Sequence, residues 1–270
     1  MVKAIIFDLD DTLLWDKKSV AESFRATCNM ARDVYPQIDP ERLEQNVRTE
    51  ARALYASFPT YAFTQMIGIN PFEGLWGDFD DGGREFDKLQ QIAPEYRKSA
   101  WKRGLEKTGF LDEQLAETLA EAFPKVRKQK PIVFSSTFKV LNALRADYKL
   151  GLLTNGSPSL QQTKLDMTPQ LKPYFDEIVV SGAFGSGKPD PAIFQHMLEK
   201  LEVDASEAVM VGDNLNTDIV GAFKSEMASI WINWNHIDSN ECPTFEVDDL
   251  LQVLDVVYNR LGKAKGTFKI

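Results

Sequence analysis

Residues 5–14 read IIFDLDDTLL. The apolar run that begins at Ala4 stops abruptly at Asp8, and Asp10 and Asp11 follow within three positions. A run without polar alternation fits a strand buried on both faces, as strands of parallel sheets are. Carboxylates set this close repel one another. In an open α/β sheet the carboxyl ends of the strands are where ligands bind, so the stretch reads as a buried strand that ends in a binding site.

Four similar runs lie in the second half: LGLLT at 150–154, EIVVS at 177–181, AVMVG at 208–212 and SIWIN at 229–233. Helical patterns separate them. In DPAIFQHMLEKL, Ile193, Phe194, Met197, Leu198 and Leu201 recur at helical spacing, with Asp190 as N-cap and Pro191 in the first turn. Phe138, Leu141 and Leu144 share one face of a second helix, and 246–261 forms a further amphipathic stretch. Strand and helix alternate from about residue 136, which predicts an α/β fold with a doubly wound parallel sheet.

The segment between is different. It has no clear strand run. Helices are expected from Pro40, from Pro94 to just before Gly109, and after Leu111. Between the first two lies an aromatic- and glycine-rich stretch, whose part from Ile67 to Gly83 reads as a loop with flexible joints facing a substrate. The expected organisation is an α/β core of residues 1–16 and 136–270, interrupted after its first strand by an all-helical insert at 17–135.

Composition narrows the function. The chain has 270 residues, 43% hydrophobic and 26% charged, and its net charge of −9 argues against nucleic acid as a partner. No apolar run approaches the length of a membrane span and no leader pattern opens the chain, so no membrane partner is expected and the reading is cytoplasmic. Cys28 and Cys242 show no metal-type spacing and are expected as small buried hydrophobes. His196 and His236 are expected at or near the surface. Oligomeric state is not encoded legibly.

The strand ends converge on one chemistry. Asp8 and Asp10 follow the first strand, Thr154-Asn155-Gly156-Ser157 the second, and Asp213 the fourth, with Asp218 five residues on. A glycine-rich loop carries Lys188. Clustered carboxylates without histidine suit a hard cation, Mg²⁺. The hydroxyl, the turn amides and the lysine suit the oxygens of a phosphate. Like charges about 4 Å apart repel by roughly 4 kcal/mol per pair at an effective dielectric of about 20, so a cation and Lys188 are needed to hold the site together. Protonation of one carboxylate relieves the rest and supplies a general acid.

FDLDDT, LLTNGS, GKPDPAIF and VMVGDNLNTDIVGA, in that order, resemble the four motifs of the haloacid dehalogenase-like superfamily. The resemblance covers residues 1–16 and 136–235, and the insert corresponds to the helical cap of that superfamily's C1 class. It implies that Asp8 is the nucleophile that takes the phosphoryl group and that Asp10 is the general acid and base. It also implies that Thr154 and the amide of Asn155 bind phosphoryl oxygens and that Lys188 neutralises charge. Mg²⁺ would be held by Asp8, the backbone carbonyl of Asp10, and Asp213, with Asp218 behind them. The superfamily's phosphatases carry an aspartate two residues after the nucleophile. An alkoxide leaving group needs a proton and a halide does not, so Asp10 implies a phosphatase over a dehalogenase. One departure stands out: relatives often have Gly near Glu226.

The expected activity is hydrolysis of a small phosphorylated metabolite. A phosphoacceptor signalling domain uses the same residue types in a different chain order, and a catalytically silent binding protein would not need the full set. TNGSPSLQQTKL and the WIN ending resemble the branch of N-acylneuraminate-9-phosphatases and nucleotidases, and the cap resembles bacterial members of that branch, a resemblance that implies phosphoserine as a candidate substrate. Phosphoserine, sugar phosphates and nucleoside monophosphates stay open. In the insert, Tyr61, Phe72, Trp76 and Trp101 suit a core, with Phe72 and Trp76 also candidates for ranking substrates. Arg97, Lys98, Lys102 and Arg103 suit a solvated helix face.

Overall fold

The computed structural model describes residues 1–238 and 243–261, so Cys242 lies outside the described residues. The elements run β1 (Ala4–Phe7), α1 (Asp16–Val34), α2 (Pro40–Ser57), α3 (Tyr61–Ile67), α4 (Pro71–Gly74), α5 (Arg84–Thr108), α6 (Glu113–Lys128) and α7 (Thr137–Leu144). There follow β2 (Lys149–Thr154), α8 (Pro158–Met167), β3 (Glu177–Val180), α9 (Ser181–Phe184), α10 (Pro191–Leu201), β4 (Ala208–Gly212), α11 (Val220–Lys224), β5 (Ala228–Ile232) and β6 (Phe245–Val247). The chain divides into two compact units. One comprises Met1–Trp15, Val133–Gly156 and Thr168–Ile270, the other Asp16–Ile132 and Ser157–Met167.

The first unit is a six-stranded sheet, every pair parallel, in the order β3-β2-β1-β4-β5-β6. The chain builds outward from β1 to β2 and β3, then returns to place β4 on β1's other side. This reversal is a topological switch point, where the loops of neighbouring strands part and leave a crevice. Phe7 pairs with Val211 across it. Ile6, Leu153, Val179 and Met210 pack one face against Ile193, Phe194, Met197 and Leu201 of α10. Ile5, Phe7, Leu152 and Val211, which alternate with them, are fully buried too, so both faces are covered. Asp190 caps α10 by accepting from the Ala192 amide, with Pro191 in the first turn.

The sixth strand revises the sequence reading. Phe245–Val247 continues the sheet beside β5, and only 250–261 of the amphipathic stretch is helical. A three-residue edge strand carries too little periodicity to separate from the helical pattern after it.

The second unit is all helical, with a core that includes Phe24, Trp76, Tyr96, Trp101 and Phe123. Trp76 and Trp101 are fully buried within it, and Phe72 packs edge-on to Phe24 with the Arg48 and Arg52 guanidinia over its ring. Helix α5 begins at Arg84, ten residues before the expected Pro94 start. Pro94 and Gln90, whose carbonyl the missing N–H leaves without its helix bond, are both exposed residues, a setting in which water can take that bond and the helix runs through. The stretch from Ile67 to Gly83 is not a loop throughout: α4 has a full capping box between Asn70 and Glu73. Gly74 serves close packing, since a Cβ there would lie 2.9 Å from the rings of both Tyr55 and Tyr96. Arg97, Lys98, Lys102 and Arg103 each reach a carboxylate, of Asp78, Glu117, Glu113 and Glu50 respectively.

Helix α8 follows the Thr154–Gly156 turn in sequence but packs with the helical unit. Asp81 caps it, accepting from the Ser157 hydroxyl at 2.6 Å, from the Ser159 hydroxyl at 3.0 Å and from the Ser159 amide. Leu160 joins the aromatic core. Lys164 donates to Glu73 at 2.7 Å and lies 4.0 Å from Asp16, which in turn accepts from Arg127. The four charges cancel, and all four side chains are buried. The Arg127 Nε and Nη1 groups have no hydrogen-bond acceptor among the described residues; its guanidinium lies over the Trp76 ring, 4.6 Å from the centroid.

Burial works against the Asp16 charge, but Lys164 and Arg127 outweigh it and hold the carboxyl below its ordinary range. The stabilisation is therefore full above that range and is lost as the pH falls through the lowered value. Asp16→Asn is expected to cost about 3–5 kcal/mol at neutral pH, as a broken buried pair does, with the gap from the native chain closing in acid. Urea unfolding across pH checks it.

Glu226 sits at φ 55°, in the left-handed region, and is exposed. A glycine would take this conformation without strain, which agrees with the expectation of Gly near this position. Glu226→Gly is expected to stabilise by about 0.5–1 kcal/mol, the strain relieved less the entropy added to the unfolded chain. The shift in urea midpoint measures it.

Candidate active site

Asp8 is the first residue beyond β1, and its amide donates to Val211 of β4 at 2.9 Å. Asp213 is the first residue beyond β4. The switch point therefore sets these two carboxylates side by side. Asp218 arrives from the helical turn of Leu215–Ile219, and Gly212 makes room for it: a Cβ on Gly212 would lie 2.2 Å from Asp218 Oδ2. The Asn214 amide donates to the same oxygen at 3.1 Å. Asp8, Asp213 and Asp218 each offer an oxygen, and the three lie within 4.8 Å of one another.

Lys188 answers this charge. Its Nζ is 2.7 Å from Asp8 Oδ1, 2.7 Å from Asp218 Oδ1 and 2.7 Å from the Leu153 carbonyl, and the side chain is buried. Burial alone would lower its pKa, but Asp218 and Asp8 together raise it above the ordinary lysine value. Asp8 is shifted up by burial and by the neighbouring Asp218, against the pull of Lys188. Three carboxylates and one ammonium leave a net charge of −2. An all-oxygen donor set with that deficit fits a hard divalent cation, and among the described residues Asp8, Asp213 and Asp218 are side chains that could hold it.

Asn155 follows β2, and its side chain pairs with the backbone of Lys188 in both directions. Its Nδ2 donates to the Lys188 carbonyl at 3.0 Å, and its Oδ1 accepts from the Lys188 amide at 2.8 Å. This two-point contact fixes the loop from which Lys188 reaches inward. Thr154, the last residue of β2, is buried. Between Asp8 and Trp15 the chain turns back sharply: the Leu13 and Leu14 amides donate to Leu9, and the Asp11 amide donates to Leu14. Asp10 sits in this turn, and Asp11 takes φ 62°.

Of the residues singled out in the sequence, Asp8, Lys188 and Asp213 come together in this cluster. The Asp10 side chain is not one of the three grouped carboxylates, whereas Asp218, expected behind the others, is. The sequence reading also missed two supports. Thr12 Oγ1 accepts from the Asp213 amide at 3.1 Å, tying the two aspartate loops together. The Asn155 side chain holds Lys188, a role its motif position suggested only for its amide. Both residues stood inside quoted motifs, but nothing in their spacing indicates a partner 201 or 33 positions away.

The haloacid dehalogenase-like hydrolase family model matches residues 2–225. A phosphoserine phosphatase of Thermus thermophilus is 33% identical over 257 residues, covering 93% of this chain and 98% of that protein. The pyrimidine 5'-nucleotidase YjjG of Escherichia coli is 33% identical over 198 residues, covering 72% of this chain and 81% of that protein. Among solved structures, a HAD phosphatase from Thermococcus onnurineus superposes with a TM-score of 0.60 at 25% identity, covering 95% of this chain and 98% of that one.

Removing the ammonium tests the electrostatics of the cluster. Lys188→Met leaves Asp8 and Asp218 buried together without a counter-charge, at an expected cost of about 3–5 kcal/mol near neutrality. A carboxyl whose folded pKa is raised binds more protons folded than unfolded, so its stability contribution falls as pH rises through that window. Urea midpoints of the variant are therefore expected to be highest in acid and to fall toward neutral pH more steeply than those of the native chain.

Proposed function

The chain belongs to the haloacid dehalogenase-like hydrolases and is a phosphatase, and from that premise we propose a Mg²⁺-dependent phosphomonoester hydrolase that works through an aspartyl-phosphate on Asp8. The observation that carries the reading is the cluster itself: a buried carboxylate held by Lys188, with two more carboxylates at hand and a deficit of two positive charges.

Each residue then has a task. An Asp8 oxygen attacks phosphorus, the P–O bond to the leaving alcohol breaks, and Asp10 gives that oxygen a proton. Water next attacks the aspartyl-phosphate and loses a proton to Asp10. The bond between phosphorus and Asp8 breaks, phosphate leaves, and both aspartates return to their starting states. Thr154 Oγ1 and the Asn155 amide hold phosphoryl oxygens. Lys188, placed by Asn155, bears against the charge that Asp8 passes to the phosphoryl group. Asp8, Asp213 and Asp218 would hold Mg²⁺, which supplies positive charge to the phosphoryl oxygens.

The substrate we propose is a small phosphorylated metabolite, with phosphoserine first, because the relative of that name aligns along nearly the whole chain. No helix among the described residues is long and apolar enough to cross a membrane. A cytoplasmic setting suits a metabolite substrate.

A panel of phosphomonoesters with and without Mg²⁺ tests substrate and metal together. Turnover of phosphoserine that vanishes with chelator is the expected result; equal turnover without metal would overturn the metal dependence. Asp8→Asn is expected to lose several orders of magnitude in kcat with the fold intact. Asp10→Asn is expected to accumulate aspartyl-phosphate from para-nitrophenyl phosphate, whose leaving group needs no proton, and hardly to react with alkyl phosphates. Rapid-quench measurement of the intermediate with both substrate types decides the role of Asp10.

A further inference from the structure

Two tryptophans at the carboxyl end of β5 direct their indole N–H groups at backbone carbonyls of the aspartate loops. Trp231 Nε1 donates to the Asp213 carbonyl at 2.9 Å, and Trp234 Nε1 donates to the Asp11 carbonyl at 2.8 Å. Each acceptor belongs to a peptide unit next to the chemistry.

The Asp213 carbonyl shares its peptide plane with the Asn214 amide, which donates to Asp218 Oδ2 at 3.1 Å. A hydrogen bond on one side of this plane sets the direction of the other. Trp231 thus orients the group that holds Asp218 while it anchors the residue carrying the Asp213 carboxylate. Trp231 is buried and lies opposite Gly212 in the β4–β5 register, so its ring is placed by the sheet itself.

The Asp11 carbonyl shares its plane with the Thr12 amide. Asp11 takes φ 62°, a conformation that costs a non-glycine residue about 1–2 kcal/mol and that persists only where surroundings hold it. Asp10 precedes Asp11. Thr12 follows it and accepts from the Asp213 amide. Fixing Asp11 therefore bears on both the acid–base residue and the tie between loops. Trp234 is itself held. Its ring stacks on Phe134 with centroids 4.4 Å apart and planes 10° apart, and Phe134 stacks on Trp15. Asn233 builds the turn that presents it: its amide nitrogen donates to the Ile237 carbonyl at 3.0 Å and to Glu246 at 2.6 Å, and its oxygen accepts from the Ile237 amide at 3.0 Å.

We infer that Trp231 and Trp234 are positioning residues that lock the peptide planes of the two aspartate loops, Trp231 for the cation-holding Asp213 and Asp218, Trp234 for the turn that aims Asp10. The catalytic part of this inference rests on the proposed Mg²⁺-dependent phosphatase; the locking part does not.

The clean variant replaces either tryptophan, in the full chain, by benzothienylalanine, which keeps the bicyclic shape and has sulfur in place of N–H. Trp234→Phe and Trp231→Phe are the genetic counterparts, with Trp234→Phe retaining a ring for Phe134. In metal-free protein, hydrogen exchange is expected to rise about tenfold at the Thr12 amide for position 234 and at the Asn214 amide for position 231; unchanged exchange in folded variants overturns the locking. Calorimetry is expected to show Mg²⁺ binding about 10-fold weaker for position 231, in line with losses when a ligand's support is removed. For position 234, kcat on alkyl phosphates is expected to fall further than kcat on para-nitrophenyl phosphate. A Mg²⁺ affinity equal to wild type, or equal losses on both substrates, overturns the respective assignment. If the native chain neither binds Mg²⁺ nor cleaves a phosphomonoester, the proposed function fails, and hydrogen exchange still decides whether the indoles lock the loops.

Discussion

A buried ammonium lies between two buried carboxylates: Lys188 Nζ, 2.7 Å from both Asp8 and Asp218. None of the three is stable in this place alone, because the cost of removing a charge from water is recovered only with a close, well-aligned partner. The α/β unit is arranged around meeting that condition. Parallel pairing of β1 with both β2 and β4 brings three loops to one end of the sheet. Gly212 gives Asp218 the space to approach, and Asn155 grips the Lys188 backbone from both sides. The arrangement stays two positive charges short, a deficit that suits the divalent cation proposed for it.

The helical unit has a buried ionic cluster of its own, balanced within itself. Asp16, Glu73, Arg127 and Lys164 come from α1, α4, α6 and α8, so one neutral quartet ties four helices together. Its most informative member is Lys164. Together with Leu160 and the cap from Asp81, it makes α8 part of the helical unit, although the chain as far as Gly156, two residues before it, belongs to the α/β unit. The chain segment proposed to hold the phosphoryl group thus leads directly into a helix that belongs to the helical unit.

Most of the α/β fold was legible in the sequence, since five of its six strands are continuous apolar runs bounded by Asp, Gly, Asn or Ser. Short β-branched runs bounded by turn residues read as strands, and four motifs in order pointed to a site at their ends. The sixth strand was not legible, because Phe245–Val247 is too short for a period. In the helical unit the start at Pro40 and the stop at Gly109 followed from local backbone chemistry. The run of α5 through Pro94 did not, because whether a proline ends a helix depends on its surroundings, a tertiary property.

The sequence by itself determined the residue types of the site and the strands that carry them, because apolar runs and strand-end carboxylates are local patterns and each motif lies within a few residues. Only the tertiary structure decided which carboxylates share a charge, which side chains support them, and to which unit α8 belongs. Asp218 joins Asp8 and Asp213 because Gly212 has no Cβ. Thr12 meets Asp213 across 201 positions, and Trp234 meets Asp11 across 223. Such contacts arise where the parallel sheet brings distant strand ends together, and hydrogen bonds made across that distance leave no period, spacing or composition in the chain that forms them.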